Sequence, residues 1–205
     1  MSKADQELEV KFYLSRRRQL EERVIALGGQ ISEPRVYEIN LRFDTPDQVL
    51  LNSGRLLRLR QDSRARVTYK GMGSIEGGAR LRQELEFTVS DFDTARALFE
   101  ALGYQVYMMY EKYRTTYQLG DLEVVLDELP YGDFAEIEGP DGASIQRTAQ
   151  QMGLNWETRI LESYTVLFER ARALIGFAFH DLSFENFHGL KIGPAVLGVR
   201  IADKG

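Results

Sequence analysis

Glu7-Leu8-Glu9-Val10-Lys11-Phe12 sets charged side chains on every second residue, with apolar ones in the gaps. Side chains alternate faces along an extended chain, so a strand here has one charged face and one apolar face. The pattern returns around Arg58/Arg60, Lys70, Arg82/Glu84/Glu86, Lys112/Arg114, Asp127 and Glu136/Glu138, making seven such stretches. In a single segment, this alternation is the ordinary mark of a half-buried strand. Its recurrence along most of the chain, with acids and bases sharing the charged faces, asks for more than solvation. Glu7/Glu9, Glu84/Glu86 and Glu136/Glu138 each lie two residues apart on one face, about 7 Å along a strand. Like charges so placed are unfavourable unless a counter-ion joins them. A sheet curled with these faces inward encloses a polar tunnel able to hold metal ions and a polyanion.

Working outward from this segment, strands are expected at 6–14, 36–44, 55–61, 65–71, 80–90, 105–118, 121–129 and 133–139. Asp44-Thr45-Pro46, Asp62-Ser63, Leu119-Gly120-Asp121 and Pro130-Tyr131-Gly132 supply turns. The segment 16–28 places Leu20, Val24 and Leu27 at helical spacing, behind a cap at Ser15 and before a stop at Gly28-Gly29. Ser90-Asp91 caps a helix at 92–102, and helices at 144–152 and 158–175 follow. In the last, Ile160, Leu161, Tyr164, Leu167, Phe168 and Ala171 share one face. Gly71-Met72-Gly73-Ser74-Ile75-Glu76-Gly77-Gly78 reads as a mobile loop and not as a P-loop, because no Gly-Lys-Ser/Thr follows it.

Roughly eight strands joined mostly by short turns favour an antiparallel sheet, and closure removes its exposed edges. The expected fold is α+β, a closed antiparallel eight-stranded β-barrel with helices packed outside. The outer face, with Leu8, Val10, Phe12, Leu57, Leu59, Leu85, Phe87, Val124, Leu126 and Ile137, is too apolar to stay wet, so the helices cover it. Residues 1–175 read as one domain, and 176–205 as a C-terminal extension of unassigned role, more a strap over exposed core than a regulatory plug.

Composition narrows the function. The chain has 205 residues, 43% hydrophobic and 28% charged, which suits an ordinary globular core. A net charge of -5 argues against a general nucleic-acid binder. With no cysteine and two histidines, disulfides, thiolate sites and a histidine-rich metal site are not expected. No apolar run approaches a membrane span, and MSKADQELEV does not read as a signal peptide, so the expected location is cytoplasmic. Carboxylates gathered without His or Cys suit a hard cation of the Mg²⁺ or Mn²⁺ kind. Arg58/Arg60 suit bidentate phosphate oxygens, with lysines as point charges beside them.

These residues resemble the CYTH superfamily of triphosphate tunnel metalloenzymes, over roughly residues 5–170. Glu7, Glu9 and Lys11 match its Glu-x-Glu-x-Lys signature, and Phe43-Asp44-Thr45-Pro46 its aromatic-Asp-Thr-Pro turn. Leu57-Arg58-Leu59-Arg60, Thr68-Tyr69-Lys70-Gly71, Arg82-Gln83-Glu84-Leu85-Glu86 and Lys112-Tyr113-Arg114 follow in the family's order. Leu126-Asp127-Glu128, then Gly132-Asp133-Phe134-Ala135-Glu136-Ile137-Glu138, resemble its closing element, and Ser163-Tyr164 also fits. Arg42 departs from the pattern, standing where an aromatic residue is common before Phe43.

The resemblance implies a triphosphate tunnel whose catalytic set includes Glu7, Glu9, Lys11 and Lys70. Triphosphate oxygens would fall to Lys11, Arg58, Arg60, Lys70, Arg82, Lys112 and Arg114. Two Mg²⁺ or Mn²⁺ ions would fall to Glu7, Glu9, Asp127, Glu136 and Glu138, with Glu84 and Glu86 supporting from behind. The substrate would be a small triphosphate: ATP, tripolyphosphate or thiamine triphosphate. Glu7-Leu8-Glu9-Val10-Lys11-Phe12 looks more like the class IV adenylyl cyclase branch, which converts ATP to cyclic AMP and pyrophosphate, than the Glu-Arg-Lys-Phe form of bacterial triphosphatases. Triphosphate hydrolysis is the alternative. A non-catalytic triphosphate- or polyphosphate-binding module is the third reading, and the carboxylates argue against it, because anion binding alone needs none. The broad barrel surface leaves room for a homodimer.

Overall fold

The computed structural model describes residues 6–203. The strands are β1 (Gln6–Leu14), β2 (Gln30–Asp44), β3 (Leu56–Gln61), β4 (Ala65–Glu76), β5 (Ala79–Val89), β6 (Gln105–Leu119), β7 (Leu122–Leu129) and β8 (Gly132–Glu138). All pair antiparallel, and the order β1-β5-β4-β3-β2-β6-β7-β8 closes into a ring. β1 completes it, with Glu9 opposite Arg80 of β5 on one side and Glu138 of β8 on the other.

Helices α1 (Arg17–Ala26), α2 (Val49–Asn52), α3 (Phe92–Ala101), α4 (Gly142–Gln151), α5 (Tyr164–Ile175) and α6 (Pro194–Leu197) pack outside. Leu8, Val10 and Phe12 on the outer face of β1 are buried with Leu20 and Val24 of α1, with Ile145 and Ala149 of α4 and with Met152 just after it. Leu41, Phe43, Leu59 and Val67 are covered by Ala95 and Phe99 of α3. Apolar residues thus leave water on the outside of the ring, and the charged rows have nowhere to point but inward.

Four expectations are corrected. Residues 71–76 are strand, not loop: β4 runs on past a register shift between Lys70 and Gly73, and Glu76 pairs with Ala79. Only Gly77 and Gly78 turn, both at positive φ (55° and 81°), which is the two-residue hairpin geometry that glycine allows. The last long helix starts at Tyr164, not 158; Ile160 instead exchanges backbone hydrogen bonds with Lys11 (2.7 and 3.1 Å), and Ser163 caps the helix. Ser15 is not the cap of α1 either, since that position is Arg16. The outer face is also less fully covered than its composition suggests, because Leu85 and Phe87 remain 43% and 58% exposed.

Candidate active site

Alternation on eight strands delivers one cavity of about 510 Å³ inside the ring. Its lining contains thirteen of the fourteen residues singled out from the sequence: Glu7, Glu9, Lys11, Arg58, Arg60, Lys70, Arg82, Glu84, Glu86, Lys112, Arg114, Glu136 and Glu138. Asp127 is not among them. It is 0% exposed and lies behind the wall, where its carboxylate accepts from Lys112 Nζ (3.0 Å), Arg114 Nε and Nη2 (2.7 and 2.6 Å) and Tyr164 OH (2.9 Å). That network fixes both cations on β6.

Each inward row changes character along its strand. Glu7, Glu9 and Lys11 of β1 continue into Tyr13; Glu138 and Glu136 of β8 continue into Phe134. Tyr13, Phe134 and Tyr110 pack with Tyr164 and Phe168 of α5. The bore is therefore charged over most of its length and aromatic where α5 crosses it.

Within the charged part, ammonium groups stand between carboxylates. Lys11 Nζ is 2.5 Å from Glu9 and 3.4 Å from Glu136. Lys70 Nζ bonds Glu7 and lies 3.0 Å from Glu84. Burial would pull both lysines down, but Glu136 and Glu9 around Lys11, and Glu7, Glu9 and Glu84 around Lys70, raise them above the ordinary lysine value. Both are held as cations, so neither is a candidate general base in this state. Arg58 donates to Thr68 (3.0 Å) and Tyr110 OH (3.2 Å), and Arg82 donates to the carbonyls of Gly71 and Gly54. Their guanidinium planes are thereby set before any ligand arrives.

Several lining groups escaped the sequence reading, among them Glu38, Glu123 and Arg66. Glu38 is 1% exposed, with Arg60 Nη1 at 3.5 Å, Lys112 Nζ at 3.6 Å and Arg114 Nε at 3.9 Å. Burial alone would raise its carboxyl, but Lys112, Arg60 and Arg114 hold it well below the usual carboxylate range. Glu123 on β7 sits opposite Glu138 on β8. Arg66 lines the wall, and its buried Nε finds no hydrogen-bond partner among the described residues. Glu38 and Glu123 obey the same every-second-residue rule as Asn40/Arg42 and Asp127 and could have been found by extending it.

The acidic wall has the chemistry of a hard-cation site. Glu138 faces Glu9 and Glu123 across its two neighbouring strands. Burial first, then Glu7 and Glu123, push its carboxyl up to about 8. An all-oxygen anionic donor set that repels itself is the kind a divalent cation relieves. Among the described residues no three carboxylates already converge as a metal-binding group, and Lys11 and Lys70 occupy spaces between them. The residues fit such an ion once those ammonium groups turn elsewhere.

Residues 5–164 match the CYTH domain family model. A Methanocaldococcus jannaschii protein provisionally named an adenylate cyclase is 28% identical over 134 residues, spanning 64% of this chain and 75% of its own length. Among solved structures, a Vibrio parahaemolyticus protein with the same provisional name superposes with a TM-score of 0.73 at 22% identity, over 80% of this chain and 97% of its own. The PH1012 protein of Pyrococcus horikoshii gives a TM-score of 0.66 at 27% identity, over 77% and 96%. A Hippeastrum protein, provisionally named an adenylyl cyclase and described as having a dominant triphosphatase activity, gives 0.58 at 16% identity, over 80% and 95%.

Proposed function

The chain belongs to the CYTH domain family, and from that premise we propose that it is a divalent-metal-dependent enzyme acting on triphosphates held inside the ring. The observation that carries this reading is the cavity wall, where buried lysines and arginines alternate with carboxylates around one space of about 510 Å³. Burying so many ion pairs is costly against an apolar core, which calls for a ligand that uses both signs.

In this reading Lys11, Arg58, Arg60, Lys70, Arg82, Lys112 and Arg114 bind phosphoryl oxygens, and Glu7, Glu9, Glu136 and Glu138 hold Mg²⁺ or Mn²⁺. The ion, when bound, supplies charge neutralisation and activation of the attacking oxygen. Lys11 and Lys70 exchange partners as substrate enters, releasing Glu9 and Glu7 and turning to phosphate. Arg58 and Arg114, fixed by Thr68, Tyr110 and Asp127, meet the charge developing on the leaving phosphoryl group without reorganising. Asp127 acts as the anchor of Lys112 and Arg114.

Two outcomes share this machinery. Hydrolysis of a triphosphate is favoured by the lining itself, in which charged side chains far outnumber the aliphatic Val36 and Leu56 and the aromatic Tyr110 and Tyr164 among the described residues, so most of the wall suits phosphoryl groups rather than a base and sugar. Cyclisation of ATP is favoured by the name of the Methanocaldococcus relative and by the Glu7–Phe12 segment. The test is incubation with ATP or tripolyphosphate and Mg²⁺ or Mn²⁺, with products resolved by chromatography. Orthophosphate marks hydrolysis and cyclic AMP marks cyclisation. Tight binding with no product from either substrate would overturn the enzymatic reading.

A further inference from the structure

Most cations in the cavity wall have a carboxylate beside them; Arg42 does not. Among the described residues, Arg42, Arg80 and Arg82 are the lining cations that form no salt bridge, whereas Lys11, Arg58, Arg60, Arg66, Lys70, Lys112 and Arg114 each form at least one. Arg42 is 8% exposed, and removing an uncompensated guanidinium from water is expensive. Its hydrogen bond goes to Thr165 Oγ1 in the first turn of α5, and its guanidinium carbon lies 5.9 Å from the Tyr107 ring centre. Neither partner carries negative charge. The acid close enough to act on it, Asp44, has its carboxylate engaged by the backbone N–H groups of Thr45, Leu50 and Leu51 (2.8–2.9 Å).

The neighbours of Arg42 add to the positive charge. Arg58 is its register partner across β2 and β3. Arg82 is held below the ordinary arginine value chiefly by burial, with Arg80 and Arg42 both contributing; Glu7 and Glu9 act on it in the opposite sense. The Ser163 and Thr165 hydroxyls, 2.9 Å apart, line the same end of the cavity. Among the described residues Arg42 and Arg82 form no salt bridge and Arg58 has one, to Glu86 at 3.5 Å; this excess of guanidinium over carboxylate, with hydroxyls beside it, describes an anion site, and it is continuous with the wall assigned to triphosphate.

We infer that Arg42, with Arg58, Arg82 and the Thr165 hydroxyl, forms an additional phosphoryl subsite at the α5 end of the tunnel, which extends the ligand from a triphosphate to linear polyphosphates of four or more phosphoryl groups. This rests on the triphosphate reading above and deepens it.

The test is metal-free calorimetric titration with inorganic tripolyphosphate and tetrapolyphosphate. The wild-type protein is expected to bind the four-unit chain tighter by about tenfold or more, the scale of one added charge-assisted hydrogen bond. In Arg42→Gln that ratio falls towards one, and in Arg42→Lys it is largely kept. Arg42→Met, which suits a buried position, replaces Arg42→Gln if the latter does not fold. Equal wild-type affinities for the two chains, or a ratio unchanged in Arg42→Gln, would overturn the subsite. Orthophosphate binding to tripolyphosphate-loaded protein without any chain-length effect would overturn the chain-length assignment. Failure of the wild type to bind either chain would instead strike the triphosphate reading itself.

Discussion

At the scale of single residues, the tunnel wall is a set of opposed charges. Glu9 accepts from Lys11 and faces Glu138 across the β1–β8 ladder. Glu9→Gln keeps the volume and removes the charge, while Lys11 keeps Glu136 at 3.4 Å, so folding should survive. Turnover should fall about 100-fold or more, as when a group stabilising transition-state charge is lost. Wild-type rates in Glu9→Gln would remove Glu9 from the metal site. Glu138 makes a pH-dependent statement. Its carboxyl, pushed up to about 8 by burial, Glu7 and Glu123, binds a proton more tightly folded than unfolded, where the value is about 4.3. Stability from this group is full below about 4.3 and is lost as pH rises through about 8. The metal-free protein should therefore lose thermal stability between about pH 5 and about pH 8, and Glu138→Gln should flatten that slope. Parallel melting curves for the two proteins across this range would show that Glu138 does not titrate there.

At the scale of elements, alternation was a strong guide and glycine a misleading one. β1 occupies 6–14 as read, because its period of two leaves no helical alternative. The β4–β5 hairpin was hidden because glycines usually signal loops. Here Gly71 and Gly73 face the neighbouring strand so closely that an added Cβ would lie 3.3 Å from Gln83 Cβ and 3.2 Å from Arg82 Cγ. Their absence of a side chain serves packing inside a sheet, which no local pattern announces. The charged rows made the candidate site legible. Glu38 was passed over because its row, Glu38-Asn40-Arg42-Asp44, mixes unlike residues rather than repeating one charge. The start of α1 was legible in neither way, since the backbone N–H groups leading into it are met from far along the chain. The Asp203 carboxylate accepts from Ser15 N (2.9 Å), Ser15 Oγ (2.9 Å) and Arg16 N (2.6 Å). Asp203→Ala leaves those donors without their partner and should destabilise the fold by about 1–3 kcal/mol in denaturant titration. A loss near zero would mean that water replaces the carboxylate at no cost.

At the scale of the whole molecule, residues 176–203 lie beyond the family-matched segment 5–164, and their packing gives them a place in the fold. Leu182 exchanges backbone hydrogen bonds with Met109 and Glu111 (3.0 and 2.9 Å), and Ala202 donates to the Tyr13 carbonyl (2.9 Å). The tail is thus stitched to β6 and to the end of β1. Between those points Phe177 and Phe179 stack at 4.2 Å, and Phe187 meets Phe168 of α5 and Tyr131 at 6.1 and 6.0 Å between ring centres. Phe168 in turn belongs to the cluster of Phe134 and Tyr164, which borders the charged bore. The tail thus forms the outer half of the aromatic cluster at this end of the ring and packs on α5. Phe187 is 4% exposed, and Phe187→Ala should cost about 3–5 kcal/mol of stability, the range for a buried ring. Because the damage travels through α5 rather than through a binding group, triphosphate affinity measured well below the lowered melting temperature should stay near wild type. A stable Phe187→Ala protein would show the tail to be a loosely held appendage, whereas a stable protein with lost affinity would place it in the binding site.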